Sequence, residues 1–218
     1  MKKNLTEMVF ILDKSGSMSS LENDTIGGFN SMIAKQKQEE GEAYVTTVLF
    51  DDRYKMLHDH INIQDVPELT NQEYYARGMT ALLDAVGRTV NSVGERLNNT
   101  PEEERPEKVI VIITTDGLEN ASREFTKKAI KEMIEHQQEK YSWTFIFLGA
   151  NMDAVSEAAD LGISANYSKT YIASAAGTAS VYDAVGTAVN CLRGMCIEDY
   201  ACCETKALAT AYALDEIL

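Results

Sequence analysis

The chain has few basic residues, no long apolar run and no recognisable leader. It carries 20 lysines and arginines against 34 aspartates and glutamates, a formal net charge of −14 at pH 7. Nucleic acids and anionic membranes both select a basic surface, so we expect neither as a partner. No stretch approaches the roughly 20 apolar residues that a membrane span needs, and Met1 to Glu7 lead into too short an apolar run for a signal peptide. The sequence therefore predicts a cytoplasmic protein without a membrane span.

Cysteine is confined to the end of the chain. The four positions are Cys191, Cys196, Cys202 and Cys203. Their spacing matches no zinc signature, and reduced structural thiols are the expectation for a cytosolic protein. A soft-metal or redox site is the alternative that the clustering leaves open.

Strand-like and helix-like patterns alternate along the 218 residues, of which 44% are hydrophobic. The apolar runs Met8–Leu12 and Val109–Ile113 predict strands that are buried on both faces. Tyr44–Phe50 and Tyr54–Leu57 are joined by so short a turn that they must pair antiparallel, and we place this hairpin at one edge of the sheet. The pattern predicts an α/β domain with a mostly parallel sheet.

Further elements complete this alternation. The clearest helix is marked by apolar residues at spacings of three and four, namely Leu83, Val86, Val90, Val93 and Leu97. The other predicted helices are marked by Ile26 to Ile33, Phe125 to Ile134, Val155 to Ala159, Val181 to Leu192 and, at the end of the chain, Ala207 to Leu218. The remaining predicted strands are Trp143–Leu148 and Asn166–Ile172.

A loop rich in oxygen-bearing side chains follows the first predicted strand. Asp13, Ser15 and Ser17 occupy alternate positions directly after the apolar run. Carboxylate and hydroxyl oxygens suit Mg²⁺, Mn²⁺ or Ca²⁺ rather than zinc. The same residue types also form ordinary turns, so the motif indicates a metal site only in combination with residues elsewhere in the chain.

Two later residues are predicted to lie beside this loop. Asp116 follows the second buried strand, and Thr80 precedes the clearest helix, where capping the helix is its alternative role. Ligands of open parallel sheets bind beyond the carboxyl ends of the strands. If the two buried strands are neighbours, Asp13 and Asp116 meet in one crevice, and the loop with Thr80 closes over it.

Together these residues resemble the metal-ion-dependent adhesion site of the von Willebrand factor A (vWA) family. That site combines an Asp-x-Ser-x-Ser loop, a Thr in a second loop and an Asp in a third, here Asp13, Ser15, Ser17, Thr80 and Asp116. The resemblance implies a Rossmann-like α/β fold with a mostly parallel six-stranded sheet of order 3-2-1-4-5-6, one antiparallel edge strand and helices on both faces. We accordingly predict a vWA domain over residues 1–193 and a cysteine-containing extension over residues 194–218, packed on the same domain.

The resemblance also implies a function. The five residues would hold Mg²⁺, with Mn²⁺ and Ca²⁺ as alternatives, and one metal position would stay open for an Asp or Glu of a partner protein. The predicted protein is an intracellular, bacterial-type member that binds a protein partner and is not an enzyme. Two alternatives remain open: a metal-dependent hydrolase of phosphate or nucleotide substrates, and a structural domain that a metal stabilises.

Catalytic motifs are missing from the rest of the sequence. It contains no phosphate-binding loop and no Gly-x-Ser-x-Gly elbow. A general base is most often histidine, and we expect His58, His60 and His136 to be solvated rather than part of a site. No nucleophile and base are therefore predicted to pair.

Several acidic and amide residues flank the motif residues in the sequence. Glu119 and Asn120 are expected either to line the rim of the metal site or to belong to an ordinary hydrophilic loop. Asp51 and Asp52 are predicted to be turn residues. Asp84, one turn after Thr80, is expected either to accept a hydrogen bond in the layer behind the metal ligands or to face solvent.

Overall fold

One six-stranded sheet is at the centre of the computed structural model, which describes residues 1–194. Its strands are β1 (Lys2–Asp13), β2 (Glu42–Phe50), β3 (Tyr54–Asn62), β4 (Pro106–Thr115), β5 (Thr144–Ala150) and β6 (Ser168–Tyr171). Their order is β3-β2-β1-β4-β5-β6, and β3 pairs antiparallel with β2 while the other neighbours are parallel. The predicted sheet order and the antiparallel edge hairpin are both confirmed.

Four helices connect these strands in the described part of the chain, and a fifth follows β6. They are α1 (Glu22–Gln36), α2 (Leu82–Asn99), α3 (Lys127–Tyr141), α4 (Ala154–Asp160) and α5 (Ala175–Gly194). None of them, within residues 1–194, has the length and apolar character needed to cross a membrane. The predicted helix at 207–218 lies outside the described residues, and the boundary at residue 193 and the cytoplasmic location stay predictions.

Helices cover both faces of the sheet. Phe10 of β1 meets Phe29 of α1 edge to face, with ring centroids 5.1 Å apart. Glu7 of the same strand instead bonds Arg96 of α2, with 2.7 Å between Oε1 and Nη2. Strand residues three apart point to opposite faces, so α1 and α2 lie on opposite sides of the sheet. α5 packs beside α1, and α3 contacts α2.

The core forms where the apolar pattern placed it. Every residue from Met8 to Leu12 in β1 and from Val109 to Ile113 in β4 is buried, as two-sided central strands require. Two details of the helix predictions are wrong. Phe125 precedes α3, whose N-cap is Thr126, and packs over Gly87 of α2. Val155 lies in α4 as predicted but is exposed, because Ala154 and Ala158 form the buried side of that short helix.

Adjacent glycines in α1 offer a matched test of how closely α5 packs against it. A Cβ built on Gly28 would lie 2.3 Å from the buried ring of Tyr182 in α5, whereas one on Gly27 would meet nothing within 4 Å. We expect Gly28→Ala to lower the free energy of unfolding by about 1–3 kcal/mol through overpacking. Gly27→Ala should raise it by up to about 1 kcal/mol, because Ala favours a helix more than Gly does. Urea unfolding measures both, and equal effects would contradict this packing.

Candidate metal centre

The carboxyl ends of β1 and β4 bring two carboxylates to the same edge of the sheet. Asp13 is the last residue of β1, and Thr115, the last residue of β4, donates its hydroxyl to Asp13 Oδ2 at 2.6 Å. The backbone N–H of Ser15 donates to Asp13 Oδ1 at 2.7 Å. The Asp13 side chain is thus buried and held in one orientation at the end of β1. Asp116 directly follows Thr115, so both carboxylates lie at this edge of the sheet.

Three hydroxyl groups continue this cluster. Ser15 Oγ and Ser17 Oγ lie 3.1 Å apart, and Ser17 Oγ donates to Asp116 Oδ1 at 2.5 Å. A Cβ placed on Gly117 would lie 3.0 Å from Thr80 Oγ1 and 3.3 Å from Ser17 Oγ. The structure therefore brings all five motif residues together, while their role as metal ligands stays a prediction.

None of these hydroxyls is used to cap a helix. Ser15 occupies the N-cap position of the short 3₁₀ helix Gly16–Ser20 but makes no side-chain capping bond. The N-cap of α2 is Ala81, so Thr80 does not cap that helix either. The alternative of capping for Thr80 is wrong, and its hydroxyl lies beside Gly117 instead.

The cluster is electrostatically short of positive charge. Burial raises the pKa of Asp13 to about 6, against hydrogen bonds from Thr115 and Ser15 that favour the charged form. Burial also raises the pKa of Asp116, against the hydrogen bond from Ser17. Two desolvated carboxylates with three neutral hydroxyls form a set of hard oxygens that fits a divalent cation such as Mg²⁺.

Asp51 is the residue whose role the sequence did not reveal. The predicted turn is confirmed, since Asp51 Oδ1 accepts a bond from Arg53 N at 2.6 Å, but the side chain is also fully buried and accepts hydrogen bonds from Lys14 Nζ and, at 2.8 Å, from Arg77 Nε. Burial would raise the pKa of Asp51, but these bonds and one from the Arg53 backbone lower it. Asp51 directly follows β2, much as Asp13 ends the neighbouring strand β1, and this similar position was the available signal.

Backbone hydrogen bonds fasten the loop that carries Thr80 to the loop after β1. Arg77 N donates to Lys14 O at 2.8 Å, and Gly16 N donates to Gly78 O at 3.1 Å. The buried hydroxyl of Tyr74 donates to the carbonyl of Asp13. Gly78 has φ +68°, and a Cβ there would lie 2.1 Å from the side chain of Asp52. The positive φ is the reason for glycine at this position, since other residues rarely adopt it.

The loop after β4, which carries Asp116 and forms the third loop of the cluster (residues 116–126), is fixed to the start of α2 by hydrogen bonds to two of its polar side chains. Thr80 N donates to Asn120 Oδ1 at 2.9 Å, and Leu83 N donates to Glu119 Oε2 at the same distance. Glu119 and Asn120 therefore connect two loops, which neither of their predicted roles described. Half-buried Asp84 likewise accepts bonds from three consecutive backbone N–H groups, at residues 123–125, and so connects α2 to that segment, which neither of its predicted roles described.

The histidines and the described cysteine form no second centre. His58 is buried with Nδ1 3.0 Å from Thr47 Oγ1, and half-buried His60 pairs with buried Glu7 at 2.6 Å, so the prediction that both are solvated is wrong. His136 is exposed as predicted. Cys191 is a half-buried free thiol, and the other three cysteines lie outside the described residues. Within residues 1–194, no group of three or more His, Cys, Asp or Glu side chains is placed to hold a metal.

Replacing Asp51 tests its position between the loops. Asp51→Asn leaves Lys14 buried without its counter-charge, so we expect the free energy of unfolding near neutral pH to fall by about 3–5 kcal/mol. The control is the exposed neighbour Asp52. Asp52→Asn should change the free energy of unfolding by less than about 0.5 kcal/mol.

The same pair of variants has an expected pH dependence. Because the pKa of Asp51 is lower in the folded protein than in the unfolded chain, its stabilisation is complete above about pH 4 and is lost as the pH falls further. The difference between wild type and Asp51→Asn should therefore shrink in acid. Urea unfolding across this range measures it, and a difference that stays constant would contradict the ion pairs.

Comparison with known proteins places this geometry in a known fold. No family model and no curated protein matches the chain. The von Willebrand factor domain of the type V pili tip protein Mfa5 from Porphyromonas gingivalis superposes with TM-score 0.65 and 12% identity, covering 88% of this chain and 97% of that one. A von Willebrand factor type A structure from Catenulispora acidiphila gives 0.55 and 17%, covering 85% and 42%.

A third solved structure carries a metal. Proximal thread matrix protein 1 from the mussel byssus, with its metal-ion-dependent adhesion site occupied by zinc, superposes with TM-score 0.57 and 18% identity over 87% of this chain. The present chain spans about half of the mussel protein, 47% of its length. At these identities the similarity shows the fold alone. The chain has the Rossmann-like fold of vWA domains, with its oxygen cluster at the carboxyl end of the sheet.

Proposed function

We propose that this protein is a metal-dependent protein-binding module in which Asp13, Ser15, Ser17, Thr80 and Asp116 hold a divalent cation. One observation carries the proposal. Three loops are fixed together so that two desolvated carboxylates and three hydroxyls, none of them capping a helix, converge at the carboxyl end of the sheet.

The composition of the site favours Mg²⁺. Its donors are all oxygen, and only two of them carry charge, which suits a hard cation that keeps part of its water shell. Mn²⁺ and Ca²⁺ are the alternatives with the same donor preference. The zinc-occupied site of the mussel protein supports a divalent metal in a site of this type.

The coordination number favours an acidic partner. Mg²⁺ takes six oxygen ligands, so five side-chain oxygens leave at least one position open for an Asp or Glu of another protein. The chain's own residues hold this position in place: Thr115 orients Asp13, and Ser17 orients Asp116. The nearest basic side chains, Lys14 and Arg77, are both paired with Asp51 and do not compete for the site.

We also propose that the site binds without catalysing a reaction. His58 and His60, the histidines of β3, are engaged with Thr47 and Glu7, and His136 stands on the exposed side of α3. No histidine base is thus directed at Ser15 or Ser17 within the described residues. A hydrolase in the same crevice would need another general base.

Metal binding is expected to stabilise the fold. Mg²⁺ at 100 times its dissociation constant should raise the free energy of unfolding by about 2.7 kcal/mol. Ser17→Ala and Asp116→Asn should weaken this effect by removing an oxygen or a charge, whereas Asp52→Asn should leave it unchanged. Thermal unfolding in Mg²⁺ and in EDTA measures it. A stabilisation that survives Asp116→Asn in full would contradict the site.

Partner binding is expected to depend on the same metal. When a lysate of the source cell is passed over the immobilised wild-type chain in Mg²⁺, one protein should be retained. That protein should not be retained in EDTA, nor by the Asp13→Ala or Ser17→Ala variant. Replacing one acidic residue of that protein by its amide should then abolish retention. Identical retention in every lane would contradict the proposed binding, and phosphate or nucleotide turnover lost with Asp13→Ala would favour the hydrolase.

A further inference from the structure

Two large apolar side chains beside the cluster are directed into solvent. Met79 is 52% exposed and Leu118 is 60% exposed; in the loop of Met79, Tyr74 and Ala81 are buried, and the ring of Tyr75, 44% exposed, lies against Lys14 and Arg77. Single exposed apolar side chains are common on protein surfaces. These two differ because they lie on either side of one oxygen cluster, where a bound partner could bury them at a gain of about 1.5–3 kcal/mol each.

These two side chains flank the residues of the proposed metal site. Met79 directly precedes Thr80, and Leu118 directly follows Gly117. Thr80 Oγ1 lies 3.0 Å from the position of a Gly117 Cβ, so the two backbones run side by side at this point. Asn120 N also donates to Thr80 O at 3.0 Å. Met79 and Leu118 thus lie on neighbouring loops that contact each other beside the oxygen cluster.

The two polar residues after Leu118 are engaged within the protein. Half-buried Glu119 accepts bonds from Leu83 N and from Ser122 N and Oγ, at 2.7–2.9 Å. Asn120 is exposed, but its side chain accepts a bond from Thr80 N. Leu118 has no such role in the framework, and its exposed side chain is available to a partner.

Charge alone would repel the proposed partner from this surface. The chain carries a net charge of −14, and the cluster itself contributes Asp13 and Asp116. Lys14 and Arg77, the basic side chains of the first two loops, are already paired with Asp51. Apart from exposed Arg123 of the third loop, an acidic segment therefore gains attraction from the metal at one point, and further affinity has to come from uncharged contacts.

We propose that Met79 and Leu118 form an apolar rim that selects, from among acidic partners, a protein segment whose Asp or Glu is flanked by apolar side chains. This inference rests on the proposed metal-dependent binding and adds the chemistry of the residues beside the acid. The acidic side chain enters the oxygen cluster, and its apolar neighbours cover Met79 and Leu118. Exposed apolar residues next to a polar site are the usual composition of such a recognition surface.

An array of immobilised peptides tests the rim directly with the full chain in Mg²⁺. One set carries a central Asp between two Leu residues, a second carries the same Asp between two Ser residues, and a third replaces the Asp of the first set by Asn. We expect the Leu-flanked Asp peptides to bind about tenfold more tightly than the Ser-flanked ones, which is the effect of burying one apolar side chain. The Asn peptides should not bind.

Variants assign that preference to the rim. Met79→Ser and Leu118→Ser should remove most of the discrimination between Leu and Ser flanks while preserving the stabilisation by Mg²⁺. Tyr141→Ser is the matched control, because Tyr141 is 50% exposed at the end of α3 and precedes the amino end of β5. Discrimination should persist in that variant.

The outcomes separate this inference from the proposed function. Equal binding of Leu-flanked and Ser-flanked Asp peptides, lost in EDTA, would overturn the rim and leave metal-dependent binding intact. Discrimination that survives both rim substitutions would also overturn it. Absence of any Asp-dependent binding in Mg²⁺ would overturn the proposed function together with the rim.

Discussion

Leu12 of β1 lies opposite Thr114 of β4 in parallel register, and this pairing sets the geometry of everything at the carboxyl end of the sheet. Because both strands are buried on both faces, a shift in register would move a whole row of core side chains, so the pairing is strongly specified. It places Asp13 and Asp116 in one crevice and lets Thr115 donate to Asp13. The other loops are fastened to this pair of strand ends.

Two buried carboxylates at this edge have opposite electrostatic surroundings. Asp51 receives Lys14 and Arg77, and its pKa is lowered. Asp13 receives only neutral donors, and burial raises its pKa to about 6. The nearby basic side chains, Lys14 and Arg77, thus pair with Asp51 in the framework, and Asp13 and Asp116 remain available to a bound metal cation. Unpaired buried charge is costly unless a counter-ion compensates it, which makes the cluster a natural cation site.

The sequence allowed the central strands and the convergence of the five motif residues to be predicted, because apolar runs and the polar residues that end them are local signals. Strand order came from the resemblance to vWA domains and is confirmed. The burial of Asp51 was missed, since it depends on Lys14 and Arg77 arriving from two other loops. The hydrogen bond to Glu119 was missed for the same reason: its donor, the amide of Leu83, is distant in sequence.

The central claim, that the five oxygen-bearing side chains form a metal site, is tested most directly by anomalous diffraction from crystals of the full chain grown with Mn²⁺. The account predicts one strong anomalous peak among the side-chain oxygens of the five residues Asp13, Ser15, Ser17, Thr80 and Asp116. The peak should vanish in crystals of Asp116→Asn grown under the same conditions. A chain that crystallises in this fold with Mn²⁺ bound elsewhere, or with no peak at the cluster, would contradict the account.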